Sequence, residues 1–428
     1  MSSTGRLKNL PARFRQGQGG GITSICSAHP LVIEAALLEG KAVGSDVLIE
    51  ATCNQVNQDG GYTGMTPADF RRFVEEIATD IGFDTERLIL GGDHLGPNPW
   101  KHLPASEAMR KAEIMIDGFI RAGFTKIHLD TSMGCAGEPI ALSDAETAKR
   151  AARLAQIAEK AAAETGFELP AYVIGTEVPI PGGAMEEIGE LEVTKPQAAL
   201  ETIAIHREAF AAIGLQEAFS RAIGLVVQPG VEFGNENVIF YDSAKAASLS
   251  NTLEQMPNFI FEAHSTDYQP VEALSALVRD GFSILKVGPG LTFALREALY
   301  GLDQIASFLN PHSQRQTLQA KMEQLLLAEP ANWEKYYHGD AQELRLQRHF
   351  SYSDRIRYYW PHPQALAAVE DLFQEFDGVK IPETLISQYI SPLYPAIASG
   401  RIEANPRALL VEAVRHVVRN YGKAVGTH

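Results

Sequence analysis

RLILGGDHLGP (87–97) sets an unbroken apolar run against two glycines, a carboxylate and an imidazole. A strand with one wet face would alternate apolar and polar residues. A continuous run marks a strand covered on both faces, as in a parallel sheet. The segments on either side, PADFRRFVEEIATDIG (67–82) and SEAMRKAEIMIDGFIRAG (106–123), carry apolar residues at three- and four-residue steps and close on Gly82 and Gly123. That spacing predicts amphipathic helices with glycine terminators. The unit is therefore strand, polar end, helix.

Outward from this stretch the unit recurs. Upstream stand GITSICSAH (21–29) and DVLIEAT (46–52); downstream come KIHLDTS (126–132), AYVIGTEV (171–178), GLVVQPGVE (224–232), NFIFEAHST (258–266) and FSILKVGPG (282–290). A third clear helix, DAETAKRAARLAQIAEKAAAETG (144–166), ends on Gly166. Eight strand–helix units predict an α/β fold closed into a (β/α)8 TIM barrel with right-handed crossovers. An open doubly wound sheet would place a glycine-rich turn after its first strand, but GQGGG (17–21) precedes that strand. After about residue 290 the strand pattern stops. The expected organisation is a barrel over 1–310, with the helix after the last strand as its eighth helix, and a helical C-terminal extension over 311–428 packed on it.

The 428 residues are 45% apolar and 21% charged, an ordinary globular balance, with a formal net charge of −16. Such acidity argues against nucleic acid, which is bound by Lys and Arg on phosphates. A local positive pocket for a phosphorylated metabolite remains compatible with it. Cys26, Cys53 and Cys135 are scattered and odd in number, so a disulfide framework is not expected and a reducing compartment fits. No apolar run approaches membrane-spanning length and the N-terminus lacks a signal-peptide core, so a cytoplasmic protein off the membrane is expected.

Barrels show their chemistry at the carboxyl ends of the strands. Those ends carry Glu50, Asp93, His94, Asp130, Glu177, Glu232 and His264, with Asp267 just beyond. A carboxylate buried there without a partner would cost several kcal/mol, so a metal, a ligand or a mutual network must satisfy these groups. In GGDHLGP (91–97) the glycines predict a tight turn. Asp93 and His94 are adjacent, and a bend after Gly92 would bring both to the site, His94 to ligate a metal and Asp93 to move a proton. The bland alternative makes Asp93 a helix cap and His94 a satisfied core residue. Glu177 fits a metal ligand or an acid–base group, and Gln228 or Glu232 a further ligand. Ser265, Thr266, Gly288, Thr292 and Arg296, from the loops after strands seven and eight, are the candidates for phosphate, with Lys286 a further countercharge. Arg355 or Arg357 in SYSDRIRYYW (351–360) could also reach a phosphate, although such a segment is more often packing. No GxxxxGK[ST] loop is present, so a nucleotide cofactor is not expected.

CSAHPLVIEAAL (26–37), GGYTGMTPADF (60–70), ILGGDHLGPN (89–98), GFTKIHLDTSM (123–133), YVIGTEVPIPGG (172–183), VVQPGVEF (226–233), FEAHSTDYQ (261–269) and SDRIRYYWPH (353–362) together resemble the Z-subunit family of tagatose-1,6-bisphosphate aldolase, GatZ/KbaZ, over essentially the whole chain. The resemblance implies a barrel related to class II, metal-dependent aldolases, with Asp93 as proton carrier and His94 and His264 as ligands. The His ligand of those aldolases after strand six has no counterpart here; Gln228 and Glu232 stand in its place. The implied ion is divalent, zinc first, with manganese or cobalt as alternatives. The family implies two activities: a stand-alone 4-epimerase acting on a phosphorylated ketohexose, tagatose 6-phosphate to fructose 6-phosphate, or an accessory subunit stabilising a class II aldolase. A homo-oligomer is expected.

Overall fold

A computed structural model of the chain describes residues 2–175 and 191–427. Eight parallel strands close into a barrel: β1 (Ile22–Ile25), β2 (Val47–Thr52), β3 (Leu88–Leu95), β4 (Lys126–Leu129), β5 (Ala171–Ile174), β6 (Ala222–Val227), β7 (Ile260–Ala263) and β8 (Ile284–Val287). Each pairs with its sequence neighbours, and β8 returns to β1 through Ile22–Ile284 to Ile25–Val287. A short antiparallel hairpin, Glu232–Phe233 with Val238–Ile239, follows β6. The expected barrel is thus observed. The helices predicted from periodicity form, and Gly82, Gly123 and Gly166 end them at φ 64°, 80° and 70°, where a side chain would strain the backbone.

The outer ring closes differently from expectation. The helix Pro289–Leu309 does follow β8. The helix that packs on β1, Pro30–Val43 and Val271–Arg279 is the last one, Pro406–Val425, with Leu409, Leu410, Val414 and Tyr421 buried. It takes the eighth place in the ring between the helices after β7 and β1, and Pro289–Leu309 lies outside against it. Arg415 and Arg419 fasten it to the buried Glu39 at 2.8 and 3.1 Å.

Period-two alternation layers the barrel interior. At the amino end, Leu48, Ile89, Val173, Ile223, Ile260 and Ile284 form an apolar plug. Two short helices, Ser3–Lys8 and Leu10–Arg15, cap it with Leu7 and Leu10. Above the plug the interior turns ionic on β2, β4, β7 and β8. Two steps up it opens at the carboxyl end. Among the described residues no helix is long and apolar enough to cross a membrane.

Candidate active site

The ionic layer is built from β2, β4, β7 and β8. Lys126 Nζ lies 2.6 Å from Glu50 Oε1 and 2.7 Å from Glu262 Oε2, all three fully buried. Lys286 bonds Glu50 and lies 2.7 Å from Asp93 Oδ1. Two ammonium groups against three carboxylates offset most of the charge, which none could bear alone in the barrel, and leave one negative charge in excess. Gly91 makes room for this layer: a Cβ there would sit 2.7 Å from Glu50 Oε1.

Above it, Asp93, His94, His128 and His264 bring ligand atoms within 4.8 Å of one another. Asp93 and His94 reach the same side because β3 shifts register between Gly92 and Leu95, with His94 at φ 50°. The predicted bend exists, but it falls on His94. Gly91 and Gly92 stay in the strand and are needed for space, not for turning.

Each imidazole has one ring nitrogen tied to a carboxylate. His94 Nδ1 is 2.8 Å from Asp130, His128 Nδ1 is 2.9 Å from Asp93, and His264 Nε2 is 3.0 Å from Glu262. Carboxylates so placed fix the orientation of metal-binding histidines and raise their basicity. His128 Nε2 is buried without a hydrogen-bond partner. Three imidazoles and a carboxylate around one point, one of them orphaned, fit a divalent ion. Protonation separates the imidazoles, and His94 has to shed its proton to serve as a ligand. Burial is the largest influence on His94, yet Asp93 and Asp130 outweigh it and raise its pKa. Burial pushes His264 down to about 4, leaving it neutral and ready to donate a lone pair. Asp93 is held well below the usual carboxylate range: burial opposes this, but His94, Lys286 and His128 overcome it.

The cluster opens into a cleft of about 410 Å3 bordered by Asp93, His94, His264, Ser265, Lys286 and Arg357. Of the residues expected from sequence, Asp93, His94 and His264 meet here, and Ser265 and Gly288 line the same cleft. Glu177 lies outside the described residues. Gln228 Oε1 accepts from Gly230 and Val231 N–H at 2.8 and 3.0 Å, so its amide serves its own loop. Glu232 stands apart from the imidazoles, accepting from Phe233 N–H at 3.0 Å. Thr266 Oγ1 donates to Lys286 O at 2.6 Å, and Thr292 Oγ1 donates to Asp354 Oδ2 at 2.5 Å. Arg296 is buried over Phe293 with Asp354 at 3.6 Å. Those three hold the scaffold together. Sequence reasoning missed Lys126, His128 and Glu262. The available signal was parity: Lys126, His128 and Asp130 alternate on one strand, as do Glu262 and His264 on another.

The fold and site define a class: a (β/α)8-barrel protein whose carboxyl-end cleft carries an imidazole–carboxylate cluster of divalent-metal type. The chain belongs to the D-tagatose-1,6-bisphosphate aldolase subunit GatZ/KbaZ-like family, whose model matches residues 7–426. It is 56% identical over 423 residues, 99% of both chains, to a D-tagatose 6-phosphate 4-epimerase of Agrobacterium fabrum. A crystal structure from Sinorhizobium meliloti 1021, described as a probable tagatose 6 phosphate kinase, is 62% identical with a TM-score of 0.88, covering 94% of this chain and all of that one.

Proposed function

We propose that this chain is a sugar-phosphate 4-epimerase interconverting D-tagatose 6-phosphate and D-fructose 6-phosphate. The observation that carries the reading is the set of three carboxylate-tethered imidazoles around Asp93, in a cleft of metabolite size. The near-identical length and 56% identity of the Agrobacterium epimerase support it. The alternative, an accessory aldolase subunit, has less use for a layer of buried, mutually paired charges.

Carbon 4 of a 2-ketose is not next to the carbonyl, so its C–H is not acidified by enolisation. Cleavage between carbons 3 and 4 offers the route. A bound divalent ion, zinc first, would supply Lewis acidity to the ketose carbonyl and the adjacent hydroxyl. His94, His128 and His264 would hold that ion. Asp93, with Glu177 as second candidate, takes the proton of the carbon-4 hydroxyl. The carbon 3–4 bond breaks, and its electron pair passes into the former carbonyl to give a three-carbon enediolate and glyceraldehyde 3-phosphate. The aldehyde turns and carbon 3 attacks its other face. Asp93 returns the proton to the new carbon-4 oxygen. Ser265 and Gly288 border the path of the sugar.

The purified chain alone, given tagatose 6-phosphate, should yield fructose 6-phosphate. Deuterium on carbon 4 should stay there. Washout into solvent would show direct proton abstraction instead, and no conversion by metal-loaded protein would leave the accessory-subunit reading.

A further inference from the structure

In a barrel of this kind the expected anion site lies in the loops after β7 and β8. Here Asp267 already takes it. Its Oδ1 accepts from Gly288 N–H at 2.9 Å and Gly290 N–H at 2.7 Å, at the start of the helix Pro289–Leu309. A phosphate arriving at those amides would meet a carboxylate. Glycines next to a strand end are present, but their donors are used.

The facing wall of the same cleft comes from the C-terminal part of the chain and offers the opposite charge. Arg355 and Arg357 both border it, on the turn Arg355–Tyr359. The Arg355 guanidinium lies over the Tyr336 ring at 3.4 Å and gives Nε to Asn332 O. Its terminal nitrogens have no hydrogen-bond acceptor among the described residues. Arg357 bonds the Ser353 and Asp354 carbonyls and gives Nη2 to Tyr358 Oη at 2.8 Å. All of these acceptors are neutral. The nearest acidic residue in sequence, Asp354, has its carboxylate engaged by Thr292 and Arg296. Asp354 and Asp267 act on Arg357 through space, but no carboxylate is hydrogen-bonded to either guanidinium among the described residues, so both keep donor capacity for an anion entering the cleft.

We propose that Arg355 and Arg357 form the phosphate subsite of this cleft and bind the monoester dianion at the far end of the sugar. The identity of the sugar rests on the epimerase reading; the anion site does not. One consequence concerns phosphorylation state. With Asp267 on the loop amides, the cleft takes one phosphate, so it selects ketose monophosphates over 1,6-bisphosphates.

The test pairs two readouts on metal-loaded full-length protein: calorimetric binding of inorganic phosphate, and KM for tagatose 6-phosphate beside turnover of unphosphorylated tagatose. Arg357→Gln should weaken phosphate binding and raise KM at least about tenfold, the scale of losing hydrogen bonds to a charged partner. The loss in kcat/KM for unphosphorylated tagatose should be much smaller than that for tagatose 6-phosphate. Arg355→Lys keeps the charge and the fold but loses the planar fork, and should fall between wild type and Arg357→Gln. Unaltered phosphate affinity in both folded variants would overturn the subsite, as would an equal loss on the unphosphorylated sugar. If wild-type protein binds phosphate through these arginines yet never epimerises the sugar, the epimerase reading fails and the subsite stands.

Discussion

His94 shows how one backbone angle creates a site. A non-glycine residue in the left-handed region costs on the order of 1–2 kcal/mol. That cost puts two consecutive side chains, Asp93 and His94, on one side of a strand that would otherwise separate them. His128 needs no such device, since its strand parity already aims it inward. We expect His128→Ala to lose bound metal, with affinity falling at least about tenfold, as elemental analysis of gel-filtered protein would show. Asp93→Asn and His94→Ala should each lower turnover at least about a hundredfold in the same assay. Glu232 carries a separate prediction. Burial pushes its carboxyl from 4.5 up to about 7. Between those values the folded chain keeps a proton that the unfolded chain releases. Its contribution to stability is therefore present below pH 4.5 and lost as pH rises through 7. Glu232→Gln cannot ionise, so between pH 4.5 and 8 it should gain about 3 kcal/mol relative to wild type in urea titrations. A constant difference across that range would show that Glu232 ionises freely.

At the scale of elements, the barrel is a stack of three layers that share strands. The amino-end plug is sealed by the two N-terminal helices, whose Leu7 and Leu10 join the interior residues. Leu7→Ala leaves a cavity under the barrel and should cost about 2–5 kcal/mol, read as a lower thermal midpoint. The ionic layer behaves differently. Lys126→Met removes the ammonium 2.7 Å from Glu262 Oε2 and 2.6 Å from Glu50 Oε1, leaving two buried carboxylates to share Lys286. We expect a loss of about 3–5 kcal/mol, as for breaking any buried ion pair by removing one partner. Near-native stability would mean that water or a proton relieves the layer.

Across the whole molecule the two chain ends meet the barrel from opposite sides of the sequence. The N-terminal helices close its floor, and Pro406–Val425 closes its wall. The stretch between residue 330 and residue 360 supplies the arginine side of the cleft. A metal held by His94, His128 and His264 would tie β3, β4 and β7 together, and an ion that binds only the folded chain stabilises it by mass action. Chelation should therefore lower the thermal midpoint, and zinc in excess should restore it. His128→Ala should need at least about tenfold more zinc for the same recovery.

The eight strands and their order were legible because each unit is local: an apolar run, a polar end and an amphipathic helix lie within a few tens of residues. Asp93, His94 and His264 were legible for the same reason, since polar groups that terminate apolar strands stand out. Parity along KIHLD and FEAH also pointed inward, but the apolar neighbours masked it, and Lys126, His128 and Glu262 passed as ordinary strand residues. Other assignments depended on contacts far apart in sequence. Thr292 and Arg296 belong to Asp354, and Thr266 to Tyr421, rather than to the cleft. The loop amides after β8 belong to Asp267, and the last helix takes the eighth place in the ring. Local sequence determines which segments become strands and where polar groups emerge from them. Which polar group satisfies which is decided only when the barrel closes, because each buried charge takes whatever partner the closed geometry brings within hydrogen-bond reach.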